Sequence, residues 1–394
     1  MIEIHSDLIL SDTIHFEYFC GCCEVEIRGV GNPSITCLKN ENGEMDAGLY
    51  FKNVGNLIMS GISFLKCGSL QESTSHSPDN STLADLFHSS LYFLDCSNLS
   101  LINITVQNGH GTGAALFNTV GTVNMVDCSF VNNIVRNSHY PGGGGLYIEF
   151  TDCTPEMLGK QCIVKDRYPD SNYTIQNCFF LNNKASTFGN VYIHPQGPFQ
   201  GFGRGGGLAI YLNGNTKQCT ITIVYCHFQN NSAFGGGGIF TMFRGSPSYN
   251  SITVKDSGFI TNKVVHREGG GRFHKSSGGG GGGGGVGGGF LFSKDKHDPI
   301  LNSLVFIRCQ FVGNSAEGNG GGLSLFSTKG MNSDNIMKNT IKLINCSLSN
   351  NLAYVASALD FAPEVYDRLG SGVLPIPVID NATFLKIMLL TGIY

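Results

Sequence analysis

The sequence predicts an all-β solenoid: one chain coiled into a right-handed parallel β-helix of about ten turns carrying loop inserts. Three observations predict it. A short phrase ending in Phe, two residues and Asn recurs along the chain. Glycine triplets leading into apolar strands recur beside it, and apolar residues keep constant phase from copy to copy. The phrase reads Cys128-Ser129-Phe130-Val131-Asn132-Asn133, then Cys178-Phe179-Phe180-Leu181-Asn182-Asn183, then Cys226-His227-Phe228-Gln229-Asn230-Asn231. It returns at Phe259 with Asn262, at Phe311 with Asn314, and with Leu348 before Asn351. The glycine partners are Gly143-Gly144-Gly145-Leu146, Gly205-Gly206-Gly207-Leu208, Gly236-Gly237-Gly238-Ile239 and Gly320-Gly321-Gly322-Leu323.

One repeat, Val120 to Asn133, shows how these residues build a turn. Val123 and Met125 alternate with Asn124, the period of a half-buried strand. Val126-Asp127 makes a bend, and a second short strand buries Cys128 and Phe130 while Ser129 faces outward. Asn132 and Asn133 end that strand, because asparagine tolerates the left-handed backbone a corner needs. The glycine segment supplies a third strand. Counting from this repeat gives a phase column of Cys37, Phe64, Val106, Phe130, Phe180, Phe228, Phe259, Phe311, Leu348 and Phe384. Two residues earlier runs Ile35, Ile62, Ile104, Cys128, Cys178, Cys226, Ser257, Cys309, Cys346 and Ala382. Five earlier runs Met59, Leu101, Met125, Ile175, Ile223, Val254, Phe306, Leu343 and Ile379. Layers about 4.8 Å apart would make a rod about 50 Å long, right-handed by the parallel-crossover rule.

The 394 residues are therefore read as one β-helix domain. Residues 1–24 form an irregular or partial first turn and 25–390 form stacked turns. The inserts are 68–90, 134–142, 151–172, 184–204, 263–289 and 327–338, with the glycine-rich 263–289 read as a disordered excursion. Placed mostly between the asparagine corner and the glycine strand, they are expected to line one face of the rod and form its contact surface.

Composition narrows the function classes. Charged residues are 14% of the chain, tryptophan is absent and the net charge is -4. No nucleic-acid footprint follows from these figures, nor an acidic-membrane one. No apolar run reaches membrane-spanning length. The start, Met1-Ile2-Glu3-Ile4-His5-Ser6-Asp7, carries no signal-peptide pattern. Since neither end reads as a capping turn, the sequence is taken as a piece of a longer extracellular or cell-surface protein, its signal peptide and any anchor lying outside it. A cytoplasmic location is the other reading.

The paired Phe-x-x-Asn and Gly-Gly-Gly-Leu/Ile elements, over about residues 100–360, resemble the FxxN and GGA[ILV] repeats of chlamydial polymorphic membrane proteins. The chain is also similar to right-handed, pectin-lyase-like β-helix proteins of simple animals such as sponges. The resemblance implies a surface-displayed rod acting in adhesion. Gly stands here where that family has Ala in most copies.

Cys128, Cys178, Cys226, Cys309 and Cys346 fall in one inward column, where cysteine serves as a small hydrophobe. Cys153 and Cys162 share an insert and are candidates for a loop-closing disulfide. Cys20-Gly21-Cys22-Cys23 lacks a second pair at zinc spacing, so no metal is expected. Gly201-Phe202-Gly203-Arg204-Gly205-Gly206 matches a dinucleotide-loop pattern but leads into a strand rather than a helix, so no cofactor is expected. Asn-x-Ser/Thr sequons occur at Asn80, Asn98, Asn103, Asn172, Asn230, Asn345 and Asn381. Asn80 and Asn172 lie in inserts and are the candidate glycosylation sites; Asn103 and Asn345 lie at crowded bends.

An alternative is a polysaccharide lyase or glycoside hydrolase on this fold, for which Asn108-Gly109-His110-Gly111 supplies a Gly-His-Gly. Such chemistry needs paired carboxylates, or carboxylates holding a cation beside a base. One outward row reads Ile58, Ser100, Asn124, Thr174, Thr222, Thr253, Val305, Lys342, Val378; the other reads Ser63, Thr105, Ser129, Phe179, His227, Gly258, Gln310, Ser347, Thr383. Neither contains a carboxylate, and no catalytic residue is assigned. The expected function is a non-catalytic rod whose inserts contact a protein or glycan, with no charge patch or aromatic row to select a ligand.

Overall fold

The computed structural model describes residues 1–17, 24–38, 48–68, 89–136, 143–150, 170–186, 204–214, 216–245, 247–265, 285–291, 301–319, 321–327, 338–355, 359–363, 378–385 and 388–389. Among them the secondary structure is all β, gathered into sheets of twenty, ten and seven strands. Strands pair in parallel with the corresponding strand of the next repeat. The arrangement is that of a β-solenoid.

The twenty-stranded sheet holds two columns. In the first, strands such as Val120–Val126, Ser171–Gln176, Cys219–Val224 and Ser251–Lys255 stack in turn. In the second, Ser129–Val131, Phe179–Leu181, His227–Gln229 and Gly258–Ile260 do the same. Asn56–Leu65 and Ser97–Gln107 run unbroken through both columns and join them. A residue in the left-handed region bends the chain between columns, both within these two strands, at Gly61 (φ 63°) and Asn103 (φ 50°), and elsewhere, at Asp127 (φ 57°), Asn177 (φ 52°), Tyr225 (φ 54°), Asp256 (φ 51°), Arg308 (φ 51°) and Asn345 (φ 52°).

The core is a set of aligned side chains. Phe64, Val106, Phe130, Phe180, Phe228, Phe259, Phe311 and Leu348 lie opposite one another in consecutive strands and are buried. The rings stack face to face, Phe180 on Phe228 at 4.6 Å between centroids, Phe228 on Phe259 at 5.0 Å and Phe259 on Phe311 at 4.8 Å. Met59, Leu101, Met125, Ile175, Ile223, Val254, Phe306 and Leu343 form the neighbouring column. Truncating one ring leaves its two neighbours facing a void. Phe228→Ala is expected to lower unfolding stability by about 3–5 kcal/mol in denaturant titration, and a loss below about 1 kcal/mol would contradict this packing.

The phase column departs from the sequence count at its start. Ile35, not Cys37, lies opposite Phe64. The bend Gly29–Pro33, with Gly31 at φ 81° and Asn32 at φ 57°, holds more residues than the equivalent step from Ser60 to Ser63. The bend holds three residues more than that step, and the partner of Phe64 lies two residues from the counted one, which keeps its side chain on the same face. Cys37 is bonded instead to Cys67 as a disulfide with Cα atoms 4.9 Å apart, a pairing that sequence counting had not singled out.

Three further corrections concern the segments between columns. Residues 1–17 contain regular strands, Ile2–Ile4, Leu8–Leu10 and Ile14–Glu17, each paired in its sheet. Ile134–Arg136, Lys184–Ser186, Ser232–Ala233, Lys263–Val264, Ser315–Asn319, Leu352–Val355 and Met388–Leu389 make the seven-stranded sheet, so inserts 134–142, 184–204 and 263–289 open with a sheet strand. Insert 263–289 also ends in one: Val286–Leu291 pairs with Ile239–Gly245 and with Leu323–Ser327. Residues 266–284 lie outside the described residues.

Asn132 and Asn133, adjacent and identical, do different work. Asn132, Asn182, Asn230 and Asn350 adopt the left-handed backbone, with Thr261 and Gly313 in the equivalent places. The following asparagine is buried in every copy, and its amide joins a ladder through Asn133, Asn183, Asn231, Asn262, Asn314 and Asn351. Each Nδ2 donates to the next Oδ1 at 3.0–3.1 Å. The same amide also donates to a carbonyl of the previous layer, as Asn231 does to Phe180 at 2.7 Å. A shorter ladder of the same kind runs through Asn250, Asn302 and Asn339.

The glycine triplets are explained by this core. Position Gly207 faces Phe228: a Cβ there would lie 2.9 Å from Phe228 Cδ1 and 2.7 Å from the Gly238 carbonyl oxygen. The corresponding distances at Gly145 are 3.0 Å to Phe180 Cδ1 and 2.6 Å to Gly207 oxygen. Phe-x-x-Asn and Gly-Gly-Gly are thus two halves of one contact, in which the glycine backbone rests on the ring.

Candidate binding surface

Both outward rows read from the sequence lie in register on the twenty-stranded sheet. Glu26 extends the first row, opposite Ile58, so that row does carry a carboxylate one layer before its first counted member. Within the second row Phe179 is 42% exposed and its ring stacks on His227 at 5.3 Å. Gly258 follows, leaving the other side of His227 without a side chain in that register position. Tyr225, 53% exposed, projects from the bend just before His227. In the next layers Arg308 grips Asp256 side-on, Nε donating to Oδ1 at 2.6 Å and Nη2 to Oδ2 at 2.8 Å. That hydrogen bond holds the Asp256 carboxyl below its ordinary range. The patch therefore combines exposed rings with an ion pair on a flat, hydroxyl- and amide-rich sheet.

The ten-stranded sheet offers a second feature that sequence reading missed. Its outer face carries an unbroken chain of rings: His15, Tyr50, Tyr92, Phe117, Tyr147, Tyr211 and Phe240, with successive centroids 5.0–5.6 Å apart. The rings from Tyr92 to Phe240 are buried and form an apolar cluster separate from the core. The chain hides in the sequence because its members alternate between two register positions: Ala115 and Ala209 stand beside Tyr147, and Phe117 and Tyr211 sit two residues later. Glu149 lies in this face with both oxygens occupied. Oε2 accepts from Tyr147 Oη at 2.5 Å and Oε1 from Asn213 Nδ2 at 2.8 Å. Arg204 closes the chain, its guanidinium carbon 4.7 Å from the Phe240 ring centroid.

The remaining candidates fall as follows. Cys128, Cys178, Cys226, Cys309 and Cys346 are buried free thiols whose Sγ–H groups point at backbone carbonyls, Cys128 at Leu101 oxygen 3.4 Å away. Burial pushes the Cys96 thiol up to about 12 and raises that of Cys219 as well. Neither forms the thiolate nucleophile near neutral pH. Peptides containing Cys96 and Cys219 are therefore expected to escape iodoacetamide until denaturant is added, as read by mass spectrometry. Cys153, Cys162, Asn80 and the Cys20–Cys23 cluster lie outside the described residues.

Asn172 is an exposed strand residue opposite Thr122 and Thr220. Asn103 and Asn345 are exposed too, rather than crowded, because the left-handed bend turns their side chains outward. The Gly-His-Gly has a structural role: Gly109 N–H donates to Asn133 Oδ1 at 3.0 Å and so starts the amide ladder. Among the described residues no group of three or more His, Cys, Asp or Glu side chains is placed to hold a metal ion, and no helix is long and apolar enough to cross a membrane.

The inserts do not share a single corner. Segments 69–88, 137–142, 187–203 and 266–284 precede a strand of the ten-stranded sheet, whereas 151–169, 292–300, 328–337 and 364–377 follow one. Comparison with known proteins gives no relative: no family model, no curated protein and no solved structure matches the chain.

Proposed function

We propose that this chain is a right-handed, single-chain parallel β-helix of about ten turns that acts as a non-catalytic recognition rod at the cell surface or outside the cell. Handedness follows from the parallel-crossover rule. The resemblance of its repeats to those of chlamydial polymorphic membrane proteins supports the adhesive role. The observation that carries the reading is the exposed Phe179–His227 stack beside Tyr225 on a flat sheet of short polar side chains. Exposed aromatic rings on a rigid surface cost little conformational entropy to bind and dominate recognition patches. The ligand is a protein or glycan, reached jointly by this patch and by the inserts. Asn80 and Asn172 carry N-glycans in this reading.

The rival reading is a polysaccharide lyase or glycoside hydrolase. It would need a reactive carboxylate, and Glu149, a carboxylate buried within the ring-lined face, has both oxygens engaged by Tyr147 and Asn213. The deciding experiment screens purified protein on a glycan array and a panel of cell-surface ectodomains, with Phe179→Ala/His227→Ala alongside. The double variant is expected to bind its hit at least about tenfold more weakly, as truncation at the centre of a recognition patch does, with an unchanged unfolding midpoint. Equal binding removes the patch from the proposal. New reducing ends or unsaturated products from polyuronates would replace the proposal with the enzyme reading.

A further inference from the structure

We propose that Arg204 anchors a binding site for a carboxylate borne on an apolar or aromatic body, at the end of the ring chain on the ten-stranded sheet. The side chain is 1% exposed, yet among the described residues neither Nε nor Nη2 has a hydrogen-bond partner. A buried guanidinium in that state is costly, since a desolvated charge needs both a counter-charge and acceptors for its hydrogens. The two unsatisfied nitrogens are the pair that a carboxylate grips side-on. This protein contains the filled version of that geometry: Arg308 Nε and Nη2 hold the two oxygens of Asp256. Arg204 presents the same fork with no acceptor in it.

The surroundings define the rest of the ligand. Phe240 lies beneath the guanidinium at 4.7 Å, and Tyr211 and Tyr147 continue the apolar wall behind it. Glu149, the carboxylate beside Tyr147 on this face, already has its oxygens bound to Tyr147 and Asn213; Glu17 and Asp360 stand on the same face several layers away. Arg204 is held in place by its backbone, which bridges Gly235, while Gly205 N–H donates to the Gly235 carbonyl at 2.9 Å. An anion that fills the fork would thus meet a fixed donor pair and an aromatic floor. A carboxylate sets two coplanar oxygens on the two prongs, and its single small head leaves the rest of the ligand to the apolar wall formed by Phe240, Tyr211 and Tyr147. The site is separate from the Phe179–His227 patch, which lies on another sheet, so either can fail without the other.

Benzoate is the simplest probe, with benzyl alcohol as the neutral control and benzenesulfonate as the tetrahedral one. Entry to an enclosed guanidinium requires local opening, so binding is read at equilibrium, after long incubation, by calorimetry and by the unfolding midpoint. Benzoate is expected to bind wild-type protein and raise its midpoint. Benzyl alcohol should bind at least about tenfold more weakly, the worth of a charge-assisted pair, and benzenesulfonate, which carries the charge on a bulkier head, more weakly than benzoate. Arg204→Met, which keeps the apolar stem, should abolish benzoate binding, and Arg204→Lys should weaken it, because a point charge cannot match the fork.

The ligand-free proteins supply a second readout. If the fork is empty, Arg204→Met should unfold at the same temperature as wild type or higher. A lower midpoint for Arg204→Met would mean that a carboxylate of this chain already fills the fork, and would overturn the proposal. So would the absence of any benzoate effect on wild-type protein, or equal benzoate affinity in wild type and Arg204→Met.

Discussion

Replacing Asn231 with leucine is expected to lower unfolding stability by at least about 4 kcal/mol, although the two side chains differ little in size. Asn231 Nδ2 donates to Phe180 oxygen at 2.7 Å and to Asn262 Oδ1 at 3.0 Å. Its Oδ1 accepts from the Asn183 backbone N–H and from Asn183 Nδ2, both at 3.0 Å. Leucine supplies none of these, so donors and acceptors on two layers are left buried without partners. Each costs about 1–3 kcal/mol, and the interior admits no water to replace the amide. Asn230 is the internal control. It is the preceding residue, exposed and left-handed at φ 54°, so Asn230→Ala should lose only about 1–2 kcal/mol, the cost of that backbone for a residue with a Cβ. Denaturant titration of the pair measures the difference, and hydrogen exchange at the Asn183 amide localises it. Equal losses at the two positions would show that the ladder contributes nothing special.

Gly207→Ala is expected to cost about 3 kcal/mol or more, an effect at the upper end for adding one methyl group. The new carbon would sit 2.7 Å from the Gly238 carbonyl oxygen, 2.9 Å from Phe228 Cδ1 and 3.2 Å from Phe180 Cβ. None of these can yield. The carbonyl belongs to the sheet ladder, and the ring is clamped between Phe180 and Phe259. Gly258→Ala tests whether space, rather than glycine as such, is decisive. Its nearest neighbour would be His227 Nδ1 at 3.6 Å, an ordinary contact. That variant should stay within about 0.5 kcal/mol of wild type, because the added methyl meets only ordinary van der Waals contacts. A loss at Gly258 as large as at Gly207 would remove the ring-on-glycine contact as the cause. Because repeat arrays can unfold in parts, amide exchange at Leu208 and Ile239 should accompany the global measurement.

What could be read from the sequence was whatever repeats with a constant side-chain identity. Phenylalanine in phase with asparagine gave the register of Phe130, Phe180, Phe228, Phe259 and Phe311, and the rows between them followed by counting. Three things escaped for physical reasons. The seven-stranded sheet is built from pieces as short as Ser232–Ala233 and Lys263–Val264, too brief for a period of two to be seen. The Cys37–Cys67 pairing depends on a register shift at Gly29–Pro33 that no side-chain pattern announces. The ring chain ending at Arg204 draws on two alternating register positions, so no single column of letters is aromatic. The buried role of the second asparagine was within reach, since Asn133, Asn183, Asn231, Asn262, Asn314 and Asn351 never vary. Its left-handed neighbour does vary, with Thr261 and Gly313 in two copies, as a position that needs only a permissive backbone can.

The spacing of the amide ladder has a consequence for how such a molecule can change. Successive rungs are separated by 50, 48, 31, 52 and 37 residues, yet every rung-to-rung bond is 3.0–3.1 Å long. Chain length between rungs is thereby uncoupled from rung geometry, and lengthening a closed loop adds only slowly to its entropic cost. Segments can be spliced in or cut out at the corners without any rung being disturbed, provided the excision begins and ends between rungs. A scaffold of this sort supports rapid divergence of its periphery while its axis stays unaltered, and it can gain or lose whole storeys as units.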